Sequence, residues 1–146
     1  MRLLVLDASV AAKWFLPRAG EGLVDEAFHL LRLHAEAEIE FTAPDLFWPE
    51  FGNVLWKAVR QGRWSGTAAG TALQQMQQQK LATVPAEDLV EDALAVALAC
   101  GRTVYDSLYI ALAVQRGADL VTADERLANA VAACLPVKWL GGLRLA

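Results

Sequence analysis

Thiols and imidazoles are scarce in this chain. Only two cysteines, Cys100 and Cys134, occur in 146 residues, and they form no C-x-x-C pair. That absence removes the paired-thiol redox and metal motifs. Each cysteine falls on an apolar helical segment, so both are expected to be buried thiols, as suits a reducing compartment. The two histidines, His29 and His34, stand five residues apart. Helical ligand pairs use a spacing of three or four, so an imidazole-bound metal is not expected. No apolar run approaches the roughly 18 residues of a membrane span. Asp7 interrupts the N-terminal apolar stretch too early for a secretory leader, and a cytoplasmic protein is the expectation. Basic charge is short as well: 13 Lys and Arg stand against 17 Asp and Glu, a net charge of −4. A protein that coats nucleic acid through a broadly basic surface is therefore excluded. A local basic stripe is not.

What is present is apolar substance in alternating patterns. The hydrophobic content of 55% supports a packed globule rather than a disordered chain. A chain of this length can bury roughly 68–70% of its unfolded surface, and one domain over residues 1–146 is expected. Residues 2–6 read as a buried strand that ends at Asp7. Ser9 is placed to cap a short helix that stops before Pro17, or to stand behind Asp7. Residues 21–37 have an amphipathic pattern, and "IEFTAP" is a second strand. A helix begins near Asp45, with Asp45 as its cap, or at Pro49, and runs to about Gln61. Ser65 opens another through the glutamine-rich stretch, and "LATVP" is a third strand. Helices over 86–100 and 103–116 end at Gly101 and Gly117. "DLVTA" is a strand, residues 124–135 a helix and "VKWL" a final strand. Strands alternating with helices predict an α/β fold, a parallel sheet covered on both faces.

Four acids stand out against this pattern: Asp7, Glu50, Asp106 and Asp124. Each lies at a strand end or early in a helix, inside apolar sequence where an isolated carboxylate is costly. Ligands of open parallel sheets bind beyond the carboxyl ends of strands. Asp7 and Asp124 follow such strands. Glu50 begins a helical stripe with Asn53, Lys57 and Arg60: an acid, an amide and two bases, suited to a metal ligand followed by phosphate contacts. The plain alternative is a solvated helix face. Asp106 opens a helix that is apolar nearly all round. Its spacing from Thr103 also fits a helix-start capping box, and "TADE" offers Asp124 the same bland role with Thr122 as cap. Converging acids without matching bases favour a hard divalent cation, Mg²⁺ or Mn²⁺, and metal-assisted phosphodiester hydrolysis.

The segments "LVLDASV", "PEFGNVLWKAV", "YDSLYIALA" and "LVTADERL", in this order and spacing, resemble PIN-domain ribonucleases. The likeness is closest to VapC-type toxins of toxin–antitoxin pairs and extends over nearly the whole chain. It implies a three-layer α/β/α sandwich with a central parallel sheet. Asp7, Glu50, Asp106 and Asp124 become a metal-binding catalytic quartet, with Ser9 and Thr122 as polar support. It also implies an RNA substrate, a VapB-type antitoxin and a homodimer. Two rivals differ in class. A phosphorelay receiver would use Thr122 and Lys138, but its acidic pair is missing from the first strand. A noncatalytic PIN-like binding module would give weight to Trp14, Trp48, Trp56, Trp64 and Trp139.

Overall fold

The computed structural model describes residues 1–144. Along the chain run β1 (Arg2–Leu6), α1 (Ala8–Ala11), a 3-10 turn (Ala12–Trp14), α2 (Val24–Ala35) and β2 (Ile39–Pro44). Then come α3 (Phe47–Arg60), α4 (Gly66–Gln78), β3 (Ala82–Val84), α5 (Ala86–Cys100) and α6 (Val104–Arg116). β4 (Asp119–Thr122), α7 (Glu125–Val131), β5 (Val137–Trp139) and a 3-10 turn (Leu140–Gly142) follow. The five strands form one parallel sheet in the order β3-β2-β1-β4-β5, flanked by helices as an α/β/α sandwich.

This order fixes where a ligand can bind. From β1 the chain moves outward through β2 to β3, then returns across the sheet to β4 and continues to β5. The reversal leaves a crevice between β1 and β4, the switch point at which open parallel sheets take ligands. In register, Leu6 pairs with Val121. The residues just beyond, Asp7 on one strand and Thr122 on the other, therefore meet at the carboxyl edge. A receiver domain has β1 between β2 and β3. Here β1 lies between β2 and β4, which disfavours the receiver reading.

β1 is apolar at successive positions because both its faces are covered: Leu4, Val5 and Leu6 are fully buried. α6 is the principal cover. Its residues Ser107 through Ala113 are all buried, and it packs against β1, β2 and β4 on one side and α5 on the other. Truncating the fully buried Ile110 to alanine would cost about 2–5 kcal/mol. Gly117 stops this helix with φ +59°, a left-handed conformation that glycine adopts without penalty. No helix among the described residues is long and apolar enough to cross a membrane.

Several local expectations are corrected. α2 is shorter than 21–37 and buries Val24, Ala27, Leu30 and Leu33. α3 starts at Phe47, so Pro49 sits in the first turn, where its missing N–H costs no helical bond. Asp45 does not cap α3: its Oδ1 accepts the backbone N–H of Ala86 at 2.9 Å and so serves the start of α5. Cys100 and Cys134 are exposed, not buried. Cys100 is the last residue of α5 and Cys134 lies in the turn after α7, where chain ends lift away from the core.

Candidate active site

Asp7 extends β1 by one more bond, its backbone N–H donating to the Val121 carbonyl at 3.2 Å. Its carboxylate is then held from two sides. Oδ1 accepts the Ser9 N–H at 3.3 Å, which makes Asp7 itself the cap of α1. Oδ2 accepts the Thr122 hydroxyl at 2.7 Å. Thr122 Oγ1 in turn accepts the Asp124 N–H at 3.0 Å, and Asp124 Oδ1 accepts the Leu127 N–H at 3.1 Å. A line of bonds thus ties the loop after β4 to the acid after β1. Ser9 adds a second tie by accepting the Ala123 N–H at 3.2 Å. Two expected caps are therefore reassigned: Asp7, not Ser9, caps α1, and Asp124, not Thr122, caps α7. Both hydroxyls are spent on joining the two strand ends.

The other two acids arrive from helices. Glu50 lies in the first turn of α3, with Oε1 buried and without a hydrogen-bond partner. Asp106 lies in the first turn of α6, where its N–H donates to Thr103 Oγ1 at 3.1 Å, as the capping reading expects. Its carboxylate is 3.7 Å from the guanidinium of Arg102, which lies just before the helix. Tyr109, nearly one turn after Asp106, is buried and lies in the fields of Asp7, Glu50 and Asp106, with its hydroxyl beside the Glu50 carboxyl.

These acids feel one another's charge. Burial pushes the Asp7 carboxyl up, against the bonds from Thr122 and Ser9, and the Asp106 charge pushes it further. Glu50 is pushed up to about 7, first by burial and then by Asp7 and Asp106. Burial also raises Asp106; Arg102 opposes this and Asp124 adds to it. Burial and the same acids raise the Tyr109 hydroxyl. The cluster is short of positive charge. A hard cation fits both that deficit and the all-oxygen donors, and Glu50 Oε1 is a buried acceptor lacking a donor. Among the described residues no three acid, imidazole or thiol groups form a ready cage for a metal. The acids are neighbours in charge rather than a closed coordination shell.

The PIN domain sequence profile matches residues 4–132. The chain belongs to the PIN domain family. Ribonuclease VapC3 of Pyrobaculum aerophilum is 33% identical over 128 residues, covering 86% of this chain and 92% of that protein. A crystal structure of a protein from Pyrobaculum aerophilum matches with a TM-score of 0.68 and 25% identity, covering 96% of this chain and 85% of the other. The structure of a toxin–antitoxin complex from Klebsiella pneumoniae matches with a TM-score of 0.59 and 18% identity, covering 92% and 95%. The last shows likeness of fold.

All four acids lie within the matched PIN domain segment. Asn53, Lys57 and Arg60 are exposed along α3, and neither base is in an ion pair among the described residues. Arg60 instead lies over the Trp56 ring, 5.6 Å from its centre. Two neighbours of this PIN domain site escaped the sequence reading. Arg102 is four residues before Asp106 and Tyr109 three after it. The second spacing puts Tyr109 beside Asp106 on α6, while Arg102 lies in the loop just before the Thr103 cap. Tyr109 sits inside an apolar run, which hides its polar end in the sequence.

Proposed function

We propose that this PIN domain is a divalent-metal-dependent ribonuclease, the toxin of a type II toxin–antitoxin pair. What supports the reading most is that Asp7 and Thr122 join at the sheet's switch point and that Glu50 and Asp106, like Asp7, are carboxyls pushed up by burial and by the charge of neighbouring acids. Identity to a named ribonuclease over most of the chain supports it. Asp7, Glu50, Asp106 and Asp124 are the catalytic acids and would hold Mg²⁺ or Mn²⁺. When bound, that ion supplies an activated water and charge neutralisation at a scissile phosphate. The protein's own part is placement. Thr122 and Ser9 fix the orientation of Asp7 and lock the two strand ends together. Glu50 presents a buried carboxylate oxygen, with the Tyr109 hydroxyl beside the group. Arg102 stands beside Asp106 at the edge of the cluster, and Asn53, Lys57 and Arg60 offer contacts to the RNA backbone.

A VapB-type antitoxin is the proposed protein partner, and a homodimer the proposed assembly, in the cytoplasm. A cleft of about 330 Å³ lined by Trp14, Phe15, Trp64 and Ala72 supplies an apolar surface for an antitoxin segment. Expression alone is expected to arrest growth, with rescue by the product of an adjacent small gene. The enzymatic reading is tested with purified protein and RNA. Cleavage is expected with Mg²⁺ or Mn²⁺, loss on chelation, and recovery when metal is restored. Folded, metal-loaded protein that leaves RNA intact would sink it.

A further inference from the structure

α3 carries one more group whose placement the catalytic acids do not explain. Trp56 is 55% exposed, in a chain whose other four tryptophans are partly buried. A large ring left in water is worth explaining when its neighbours share a chemistry. Arg60 lies over this ring at 5.6 Å, and Lys57 and Asn53 are exposed on the same side of the helix. At about 100° per residue, Arg60 and Trp56 are some 40° apart around the axis. Trp56 is about 9 Å along the axis from Glu50 and about 120° around it, with Lys57 and Arg60 on the side of the helix between them. An aromatic face with flanking free cations, a short step from the acids, is the combination that binds single-stranded nucleic acid: cations follow the backbone and the ring stacks a base. The exposed apolar residues of α5, Val90, Leu94 and Leu98, have no cation stacked on an aromatic ring beside them; Glu87 and Glu91 flank Val90 and Leu94.

We infer that Trp56, with Arg60 beside it, is a stacking platform for an unpaired RNA base near the bond that is cut. The inference rests on the ribonuclease reading and deepens it. The substrate must present a base free of its own stack, so single strands and loops are bound and continuous duplex is not. Trp56 is a binding residue, not one that touches the reacting atoms.

The test compares wild type, Trp56→Ala and Trp56→Phe on a short single-stranded RNA and on the same RNA in a duplex, with Mg²⁺ present. Trp56→Ala is expected to raise KM for the single strand by about tenfold or more with little change in kcat. Trp56→Phe should restore most of the loss, because a ring remains. The salt dependence should not change in Trp56→Ala, because no cation has been removed. Fluorescence anisotropy with the same labelled RNA reads binding independently of cleavage. Unchanged KM and affinity in Trp56→Ala would overturn the platform while leaving the ribonuclease intact. Wild type that binds and cuts the duplex as well as the single strand would overturn it too. Wild type that binds RNA in a Trp56-dependent manner but never cuts it would instead defeat the ribonuclease reading.

Discussion

Replacing Glu50 by glutamine should make the metal-free protein more stable, although it removes a proposed catalytic acid. The carboxyl is pushed from 4.5 to about 7, chiefly by burial and then by Asp7 and Asp106. A folded-state pKa above the unfolded one means that the native form holds the proton more tightly. Below 4.5 both forms are protonated and no penalty exists. As pH climbs toward 7 the native state must carry an unfavourable charge, and stability falls. The full separation corresponds to about 3.4 kcal/mol. Solvent reaches part of this side chain and screens it, so about 1–2 kcal/mol is a realistic gain for Glu50→Gln near pH 8. That is a rise in Tm of about 2–8 °C for a chain of this size. The assay is thermal or urea unfolding of both proteins in chelator, from about pH 4 to 8. The curves should coincide at the acid end and separate between 4.5 and 7. Saturating Mg²⁺ should erase or reverse the gap, because only the wild type has all four acids to bind it. A glutamine variant that is less stable near pH 8 without metal, or a gap independent of pH, would refute the idea of a charge-strained cluster.

Other expectations follow from named contacts. Lys57→Ala combined with Arg60→Ala should weaken single-stranded RNA binding and flatten its log–log salt slope by about 1.4, while metal affinity stays nearly constant; an unchanged slope would return both residues to an ordinary solvated face. Thr122→Val keeps the side chain's shape but removes the 2.7 Å bond to Asp7 and the acceptor for the Asp124 N–H. It should cost about 1.5–3 kcal/mol in denaturant melts and lower kcat more than RNA affinity. Wild-type stability and turnover in that variant would deny Thr122 its positioning role.

The fold was legible because its signals are periodic and mutually consistent. The unbroken apolar run of β1 and the all-round apolar α6 both announce burial on a parallel sheet, and both are found there. The proposed site acids stood out in the sequence as carboxylates that apolar surroundings would not tolerate singly. Ser9 and Thr122 do stand beside Asp7, as expected; what failed was their reading as helix caps. Ser9 and Thr122 have cap-like spacing, yet Asp7 and Asp124 take those caps. The reason is tertiary: the register of β1 against β4 brings the two hydroxyls to the neighbouring strand end, and local spacing does not encode register. Asp45 shows the same limit, since its partner is Ala86, far along the chain. The cysteines misled in the opposite sense. An apolar helix does not bury its last residue, and Cys100 stands at an end.

The most direct test of the account is RNA cleavage by Asp106→Asn in saturating Mg²⁺ or Mn²⁺, with the fold verified by circular dichroism and melting. The substitution keeps the side chain's size and the backbone N–H bond to Thr103, while removing the charge that couples to Asp7, Glu50 and Asp124. The account predicts a folded protein that has lost cleavage of an RNA the wild type cuts. A folded Asp106→Asn protein that cuts at the wild-type rate would contradict the central assignment of these four acids.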